Sequence, residues 1–121
     1  MRVAGFGFRQ SATLESLQAA WQAAQPVDVS ALAAPEDKAQ AQAFATFADA
    51  LSLPVIPVSP QDMHAASTVT NSTKVREKRG TGSVAEACAL VAAGASATLL
   101  QPRVISEDRM ATCAIAEGST T

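Results

Sequence analysis

Short apolar stretches and amphipathic stretches alternate along the first half of the chain, and this order constrains the fold more than any other feature. Residues 2–6 are mostly apolar and run into Gly5-Phe6-Gly7, which predicts a short buried strand and then a tight turn. Ser11 is a suitable N-cap for a helix over residues 12–24, where apolar side chains recur every three or four positions. The period-two alternation of residues 27–32 predicts a second strand.

The alternation continues through the middle of the chain. Pro35-Glu36-Asp37 predicts a helix start, because proline fits the first turn and acidic side chains complement the helix dipole there. The inner face of this helix carries Phe44, Phe47 and Leu51. Residues 53–58 predict a third strand, which its prolines either place near a sheet edge or keep short. Ser59-Pro60-Gln61-Asp62 resembles a capping box and predicts a short helix.

The last third of the chain predicts one helix and two strands. A capping box, Ser83-Val84-Ala85-Glu86, begins a helix that ends at Gly94. Residues 97–101 and 110–116 predict strands on either side of a turn at Ser106-Glu107-Asp108. The whole order favours an α/β fold: a mixed, mostly parallel sheet of about five strands, covered by helices, with an antiparallel part at the end.

Size and charge exclude several classes of protein. A chain of 121 residues is expected to form a single domain, residues 1–121, with a frayed tail at 118–121. The net charge of −2 argues against a nucleic-acid-binding protein. No apolar run reaches the length of a membrane span, and the N-terminus is too short and too glycine-broken for a secretory signal. We therefore expect a cytoplasmic protein that contacts neither nucleic acid nor membrane.

Cysteine and histidine are too few for a metal site or a disulfide scaffold. Cys88 and Cys113 both lie among apolar neighbours, so we expect them to be reduced and buried. A reactive thiol is the alternative, but the cationic neighbours that lower a thiol pKa are missing from both stretches. His64 is the single histidine. We expect neither a bound metal nor a cofactor.

Two interpretations fit the glycines after the first predicted strand. Gly5, Gly7 and Arg9 could present backbone N–H groups and a guanidinium to an anion at the start of the next helix. The alternative is a tight strand-to-helix turn that needs glycine only for its backbone conformation. A dinucleotide-binding fingerprint would need a third glycine at Gln10.

A basic run and two titratable residues are further candidates. Four of the nine basic residues lie within six positions, and they form either a solvated face or a clamp for a polyanion: Lys74, Arg76, Lys78 and Arg79. Glu86 and His64 are weak candidates for catalysis. Glu86 is also explained as the third residue of its capping box, and His64 has no evident nucleophile partner in the sequence.

Four stretches of the chain resemble CobE and the C-terminal domain of CbiG, proteins of cobalamin (vitamin B12) biosynthesis. Gly5–Arg9 is similar to the family's opening glycine-x-glycine-x-arginine, and Ala33–Lys38 ends on a lysine as the family does. Val75–Ala87 is the most specific stretch, because it contains Gly-Ser-Val-Ala-Glu-Ala. Leu99–Arg103 resembles the closing strand, with Arg103 where lysine is common.

This resemblance implies a three-layer α/β/α sandwich that acts on or binds a corrinoid or precorrin intermediate. Such ligands carry many carboxylates, which cations and N–H donors around an apolar slot would bind. In an open α/β sheet that slot lies beyond the carboxyl ends of the strands. We expect residues 72–83 to close over it as a flap. The candidate ligand-binding residues are Gly5, Gly7, Arg9, Lys38, Ser72, Lys74, Arg76, Gly80, Gly82, Ser83 and Arg103.

Three functions remain open at this point. The first is a binding or carrier protein for the intermediate in the oxygen-dependent pathway. The second is an enzyme similar to the CbiG hydrolase, which opens a lactone on a cobalt-precorrin and releases a two-carbon fragment. CbiG proteins carry further N-terminal regions for which 121 residues leave no room. The third is an accessory subunit that docks another cobalamin-biosynthesis enzyme. The sparse set of acids and bases favours the first.

Overall fold

A computed structural model describes residues 1–62, 84–94 and 97–118 of the chain. Its nine elements alternate much as the sequence predicts. They are β1 (Arg2–Phe8), α1 (Leu14–Ala23), β2 (Ala31–Pro35), α2 (Glu36–Ala39), α3 (Gln42–Leu51), β3 (Val55–Val58), α4 (Val84–Ala93), β4 (Thr98–Ile105) and β5 (Ala111–Glu117).

The strands form one mixed five-stranded sheet in the order β3-β2-β1-β5-β4. β1, β2 and β3 are parallel neighbours, whereas β5 is antiparallel to both β1 and β4. Four of the five strands therefore point in one direction. The carboxyl ends of β1, β2, β3 and β4 meet at one edge of the sheet, beside the start of β5.

Helices cover both faces of this sheet and complete a three-layer α/β/α sandwich. On one face, α1 and α3 enclose large side chains, and the ring of Phe6 makes edge contacts with Phe44 and Phe47 at centroid distances of 5.6 and 5.4 Å. On the other face, α4 packs against small side chains, among them Ala31, Ala33 and Ala116. Small side chains let a helix approach closely, which accounts for the alanine content of α4 and of the strands beneath it.

Gly5 lies in the middle of β1 and not in a turn, which corrects the sequence prediction. It pairs with Ala33 on one side and Ala114 on the other. A methyl group at this position would overlap the carbonyl oxygen of Ala85 and approach the amide nitrogen of Ala89 to 2.5 Å. Glycine is required here because the backbone of α4 lies directly on the strand.

The turn after β1 falls later than predicted, at residues 9–12, where the N–H of Ala12 donates to the carbonyl of Arg9 at 3.0 Å. The cap of α1 is accordingly Thr13 and not Ser11. Thr13 and Ser16 form a reciprocal capping box, since each side-chain oxygen accepts the other's backbone N–H at 3.2 and 3.1 Å. This pair satisfies two otherwise unpaired groups at the helix start.

The second strand and the helix after it also differ from prediction. Asp28 has a left-handed backbone (φ 56°), so the chain bends there and the strand begins only at Ala31. The predicted helix from Pro35 to Leu51 is two helices, α2 and α3. They separate at Ala41, whose extended backbone interrupts the helical hydrogen bonds.

Both cysteines are buried, as predicted. Removal from water raises the pKa of the Cys88 thiol to about 12 and raises the pKa of Cys113 well above its ordinary value. Gly118 is the first residue of the predicted tail. Gly118 is buried, and its N–H donates to the carbonyl of Met1 at 2.9 Å. Residues 119–121 lie outside the described part of the chain.

Candidate functional site

A cleft of about 710 Å³ opens at the edge of the sheet where the strands' carboxyl ends meet. Residues that follow β1 and β2, the end of β4 and the β4–β5 turn contribute to its walls. α4 begins here as well, since Val84 lines the cleft. The N-terminal end of a helix carries partial positive charge, so α4 favours an anion at this place.

Arg9 and Lys38 reach the cleft because each follows a strand that ends there. The backbone N–H of Arg9 donates to the carbonyl of Met110 at 2.9 Å, which fastens the end of β1 to the β4–β5 turn. Lys38 lies on α2, directly after β2, and its Nζ stands 5.6 Å from the centroid of the Phe8 ring. Phe8 in turn stacks on Phe44 at 5.4 Å, so the core supports the position of the lysine.

Arg103 lies on an irregular part of β4. The register of β4 against β5 shifts on both sides of Gln101, so β4 does not pair regularly there. The backbone N–H of Arg103 donates instead to Oε2 of Glu86 on α4, at 3.1 Å. Glu86 therefore holds β4 in place at Arg103. Glu86 itself is not among the described residues that line the cleft.

The β4–β5 turn, residues 106–110, supplies a fourth cation, Arg109. Asp108 fixes this turn: it accepts hydrogen bonds from the hydroxyls of Ser106 at 2.5 Å and Ser16 at 2.6 Å, and from the N–H of Met110 at 3.0 Å. The two serine hydroxyls and the Met110 N–H hold the pKa of the Asp108 carboxyl below its ordinary value. Through Ser16 the turn is tied to the start of α1.

The cleft concentrates positive charge. Of the five lysine and arginine residues that the structure describes, four line it: Arg9, Lys38, Arg103 and Arg109. Asp37 is the one described carboxylate at its wall. The only ion pair among described residues joins Arg2 to Glu117 at 3.2 Å, at the opposite end of β1. Within the described chain the four cleft cations are thus without a paired carboxylate.

Apolar and backbone groups complete the walls. The apolar lining comes from Phe8, Pro35, Val84, Ile105 and Met110. Gly7 also lines the cleft, and its carbonyl accepts the hydroxyl of Thr112 at 3.2 Å. A methyl group at Gly7 would come within 3.0 Å of the Thr112 hydroxyl oxygen and 3.3 Å of Val84, so glycine keeps this wall open.

The structure brings together four of the eleven predicted ligand-binding residues: Gly7, Arg9, Lys38 and Arg103. Gly5 is buried beneath α4 and does not line the cleft. The predicted flap at residues 72–83 and the candidates His64, Ser72, Lys74, Arg76, Gly80, Gly82 and Ser83 lie outside the described residues.

Sequence reasoning missed Arg109, Phe8 and Met110. Arg109 offered one local signal, an arginine in a hairpin turn where glycine or asparagine is usual. Its place beside Arg9 depends on β5 pairing with β1, which no local pattern predicts.

Within residues 1–62, 84–94 and 97–118, no three His, Cys, Asp or Glu side chains lie close enough together to hold a metal ion. No helix in those ranges is long and apolar enough to cross a membrane.

Comparison with known proteins identifies the family. The family described as "Cobalamin synthesis G C-terminus" matches residues 2–116. The cobalamin biosynthesis protein chiG of Agrobacterium tumefaciens is 32% identical, with a TM-score of 0.77 over 98% of this chain and 99% of its own. CobE, a protein of the vitamin B12 biosynthetic pathway, is 26% identical, with a TM-score of 0.78 over 100% of this chain and 92% of its own.

A cobalamin biosynthesis protein G homolog from Sulfolobus solfataricus shares the fold, at 17% identity and a TM-score of 0.65. The match covers 98% of this chain but 37% of that one. No curated protein sequence matches the chain. The family match over nearly the whole length, together with the chiG likeness, shows that this chain belongs to the CbiG C-terminal family of cobalamin biosynthesis proteins.

Proposed function

We propose that this chain binds a corrinoid or precorrin intermediate in the cleft and serves as a binding or carrier protein. The observation that carries the proposal is the set of four cations around an apolar-lined cleft, none of them paired with a described carboxylate. Like charges gathered beside one another repel, and a ligand that carries the opposite charge relieves this repulsion.

Corrinoid intermediates match this cleft chemically. They carry acetate and propionate carboxylates around an apolar ring system. Guanidinium groups bind carboxylates with two parallel hydrogen bonds, which suits Arg9 and Arg103, and the ammonium of Lys38 adds a point charge. The apolar side chains of Phe8 and Ile105 offer surface for the ring. The family's place in cobalamin biosynthesis supports the same class of ligand.

The chemistry of the described walls favours binding over hydrolysis. Asp37 is the one carboxylate there, and the one hydroxyl, that of Thr112, already donates to Gly7. Hydrolysis needs an acid, a base or an activated nucleophile aligned with the reacting bond. The described lining contains neither histidine nor cysteine.

The test is an optical titration of the protein with hydrogenobyrinic acid, followed by mass analysis of the recovered ligand. We expect a saturable spectral shift with an unchanged mass. A changed mass would replace the carrier role with an enzymatic one similar to that of the CbiG hydrolase. No spectral shift would overturn the proposal and favour docking to another cobalamin-biosynthesis enzyme.

Two substitutions test whether the ligand binds in the cleft. Arg9→Ala and Lys38→Ala should each weaken binding by about 1–3 kcal/mol, the usual contribution of a charged hydrogen bond. Arg2→Gln is the matched control: it removes the same charge, but Arg2 is paired with Glu117 away from the cleft. Equal losses in all three variants would mean that net charge, and not this cleft, governs binding.

A further inference from the structure

Arg109 combines two properties that seldom occur together. Its backbone is left-handed, with φ at 61°, and it lines the cleft. Left-handed backbone is strained for a residue with a Cβ atom, and turns that require it usually carry glycine, asparagine or aspartate. A long cationic side chain is therefore unexpected at this position.

The turn does not depend on the arginine side chain. The N–H of Ser106 donates to the carbonyl of Ala111, and the N–H of Arg109 to the carbonyl of Ser106, both at 2.9 Å. Asp108 accepts three further hydrogen bonds and joins the turn to α1. The guanidinium of Arg109 contacts no hydrogen-bond partner among the described residues. The surrounding bonds thus impose the left-handed backbone, and glycine would satisfy it with less strain.

Other left-handed residues in the described chain occur away from the cleft. Gln25 and Asp28 lie in the connection between α1 and β2, and Ser52 ends α3. Ser52 is exposed and occupies a helix end, where left-handed backbone is common. Arg109 is the described residue at which left-handed strain and the cleft coincide.

We propose that Arg109 is a ligand-binding residue, kept at a position suited to glycine because its guanidinium contacts a carboxylate of the bound corrinoid. The inference rests on the proposed function and adds a residue to its site. With Arg9, which is fastened to the neighbouring Met110, Arg109 forms one cationic wall of the cleft. Backbone strain at this wall is then accepted for the sake of binding.

The test compares R109G with S52G. Both substitutions relieve a left-handed backbone, so both should raise Tm, by about 2–6 °C. Only R109G removes a cleft cation, and it should weaken the binding of hydrogenobyrinic acid about tenfold or more. S52G should bind like the wild type. R109K keeps both the charge and the strain, so it should restore much of the binding without the gain in Tm.

The outcomes separate the two proposals. If the wild type fails to bind hydrogenobyrinic acid, the proposed function and this inference are both overturned. If the wild type binds and R109G binds equally well, this inference alone is overturned. A lower Tm for R109G would show that the arginine stabilises the turn, and would also overturn it.

Discussion

At the scale of single residues, Gly5 sets the distance between α4 and the sheet. A methyl group there meets backbone atoms of Ala85 and Ala89, which cannot move without displacing the helix. Gly94 provides a contrast, because its φ of 106° disfavours other residues but nothing lies within 4 Å of an added methyl group. Glycine is therefore required at Gly5 for lack of space and favoured at Gly94 by the backbone conformation.

Gly5→Ala should lower the free energy of unfolding more than Gly94→Ala does. Overpacking against backbone costs about 1–3 kcal/mol and can exceed this where neither element can move, whereas a left-handed alanine costs about 1–2 kcal/mol. Chemical denaturation of the two variants measures the difference. A smaller loss for Gly5→Ala would show that α4 lifts away from β1 easily.

The sequence alone could not distinguish the role of Gly5 from that of Gly7. Gly5 and Gly7 are two positions apart in the same strand, and the glycine pattern alone treated them together, as part of either an anion site or a tight turn. In the structure Gly5 lies under the helix and Gly7 lies at the cleft. The two glycines differ because α4 crosses β1 at Gly5. This contact joins residues some eighty positions apart in the chain.

At the scale of elements, hydrophobic periodicity predicted which helices and strands exist better than where they begin. Periodicity reports the buried face of an element, but its ends depend on local hydrogen bonds. The reciprocal bonds of Thr13 and Ser16 move the start of α1, and the left-handed Asp28 delays β2. The prediction that β3 lies near a sheet edge is confirmed, since β3 is the first strand in the order of the sheet. The sequence could predict this because the effect of proline on strand pairing is local.

The contact between α4 and β4 supports a prediction about Glu86. Removing its carboxylate leaves the half-buried N–H of Arg103 without its acceptor. Glu86→Ala should therefore destabilise the fold by about 1–3 kcal/mol and weaken corrinoid binding by displacing Arg103. Glu86→Gln keeps an acceptor oxygen and should retain most of the stability and most of the corrinoid binding.

Denaturation and optical titration of the two variants measure these effects. The comparison also tests the sequence-based suggestion that Glu86 is catalytic. If the recovered ligand is chemically changed by the wild type and left intact by Glu86→Gln, with stability preserved, the carboxylate has a chemical role beyond holding β4.

At the scale of the whole molecule, the net charge of −2 conceals an uneven distribution. The topology gathers four described cations at one edge of the sheet, although they come from the ends of β1, β2 and β4 and from a turn. The net charge argued against a nucleic-acid-binding protein but carried no information about this edge. Arg9 and Lys38 were predictable because each follows a parallel strand, and parallel strands end together.

This distribution predicts how salt should act on binding. Exposed charges interact over a Debye length of about 10 Å at 0.1 M salt and about 3 Å at 1 M. Arg9 and Arg109 are exposed, so salt should screen their attraction to carboxylates and raise the Kd of hydrogenobyrinic acid steeply. A corrinoid whose carboxylates are converted to amides should bind more weakly at low salt, with a Kd that changes little as salt rises. Titrations of both ligands across this salt range measure the two slopes. Equal slopes would mean that the cations of the cleft do not contact the carboxylates, and the apolar walls would then have to account for the affinity.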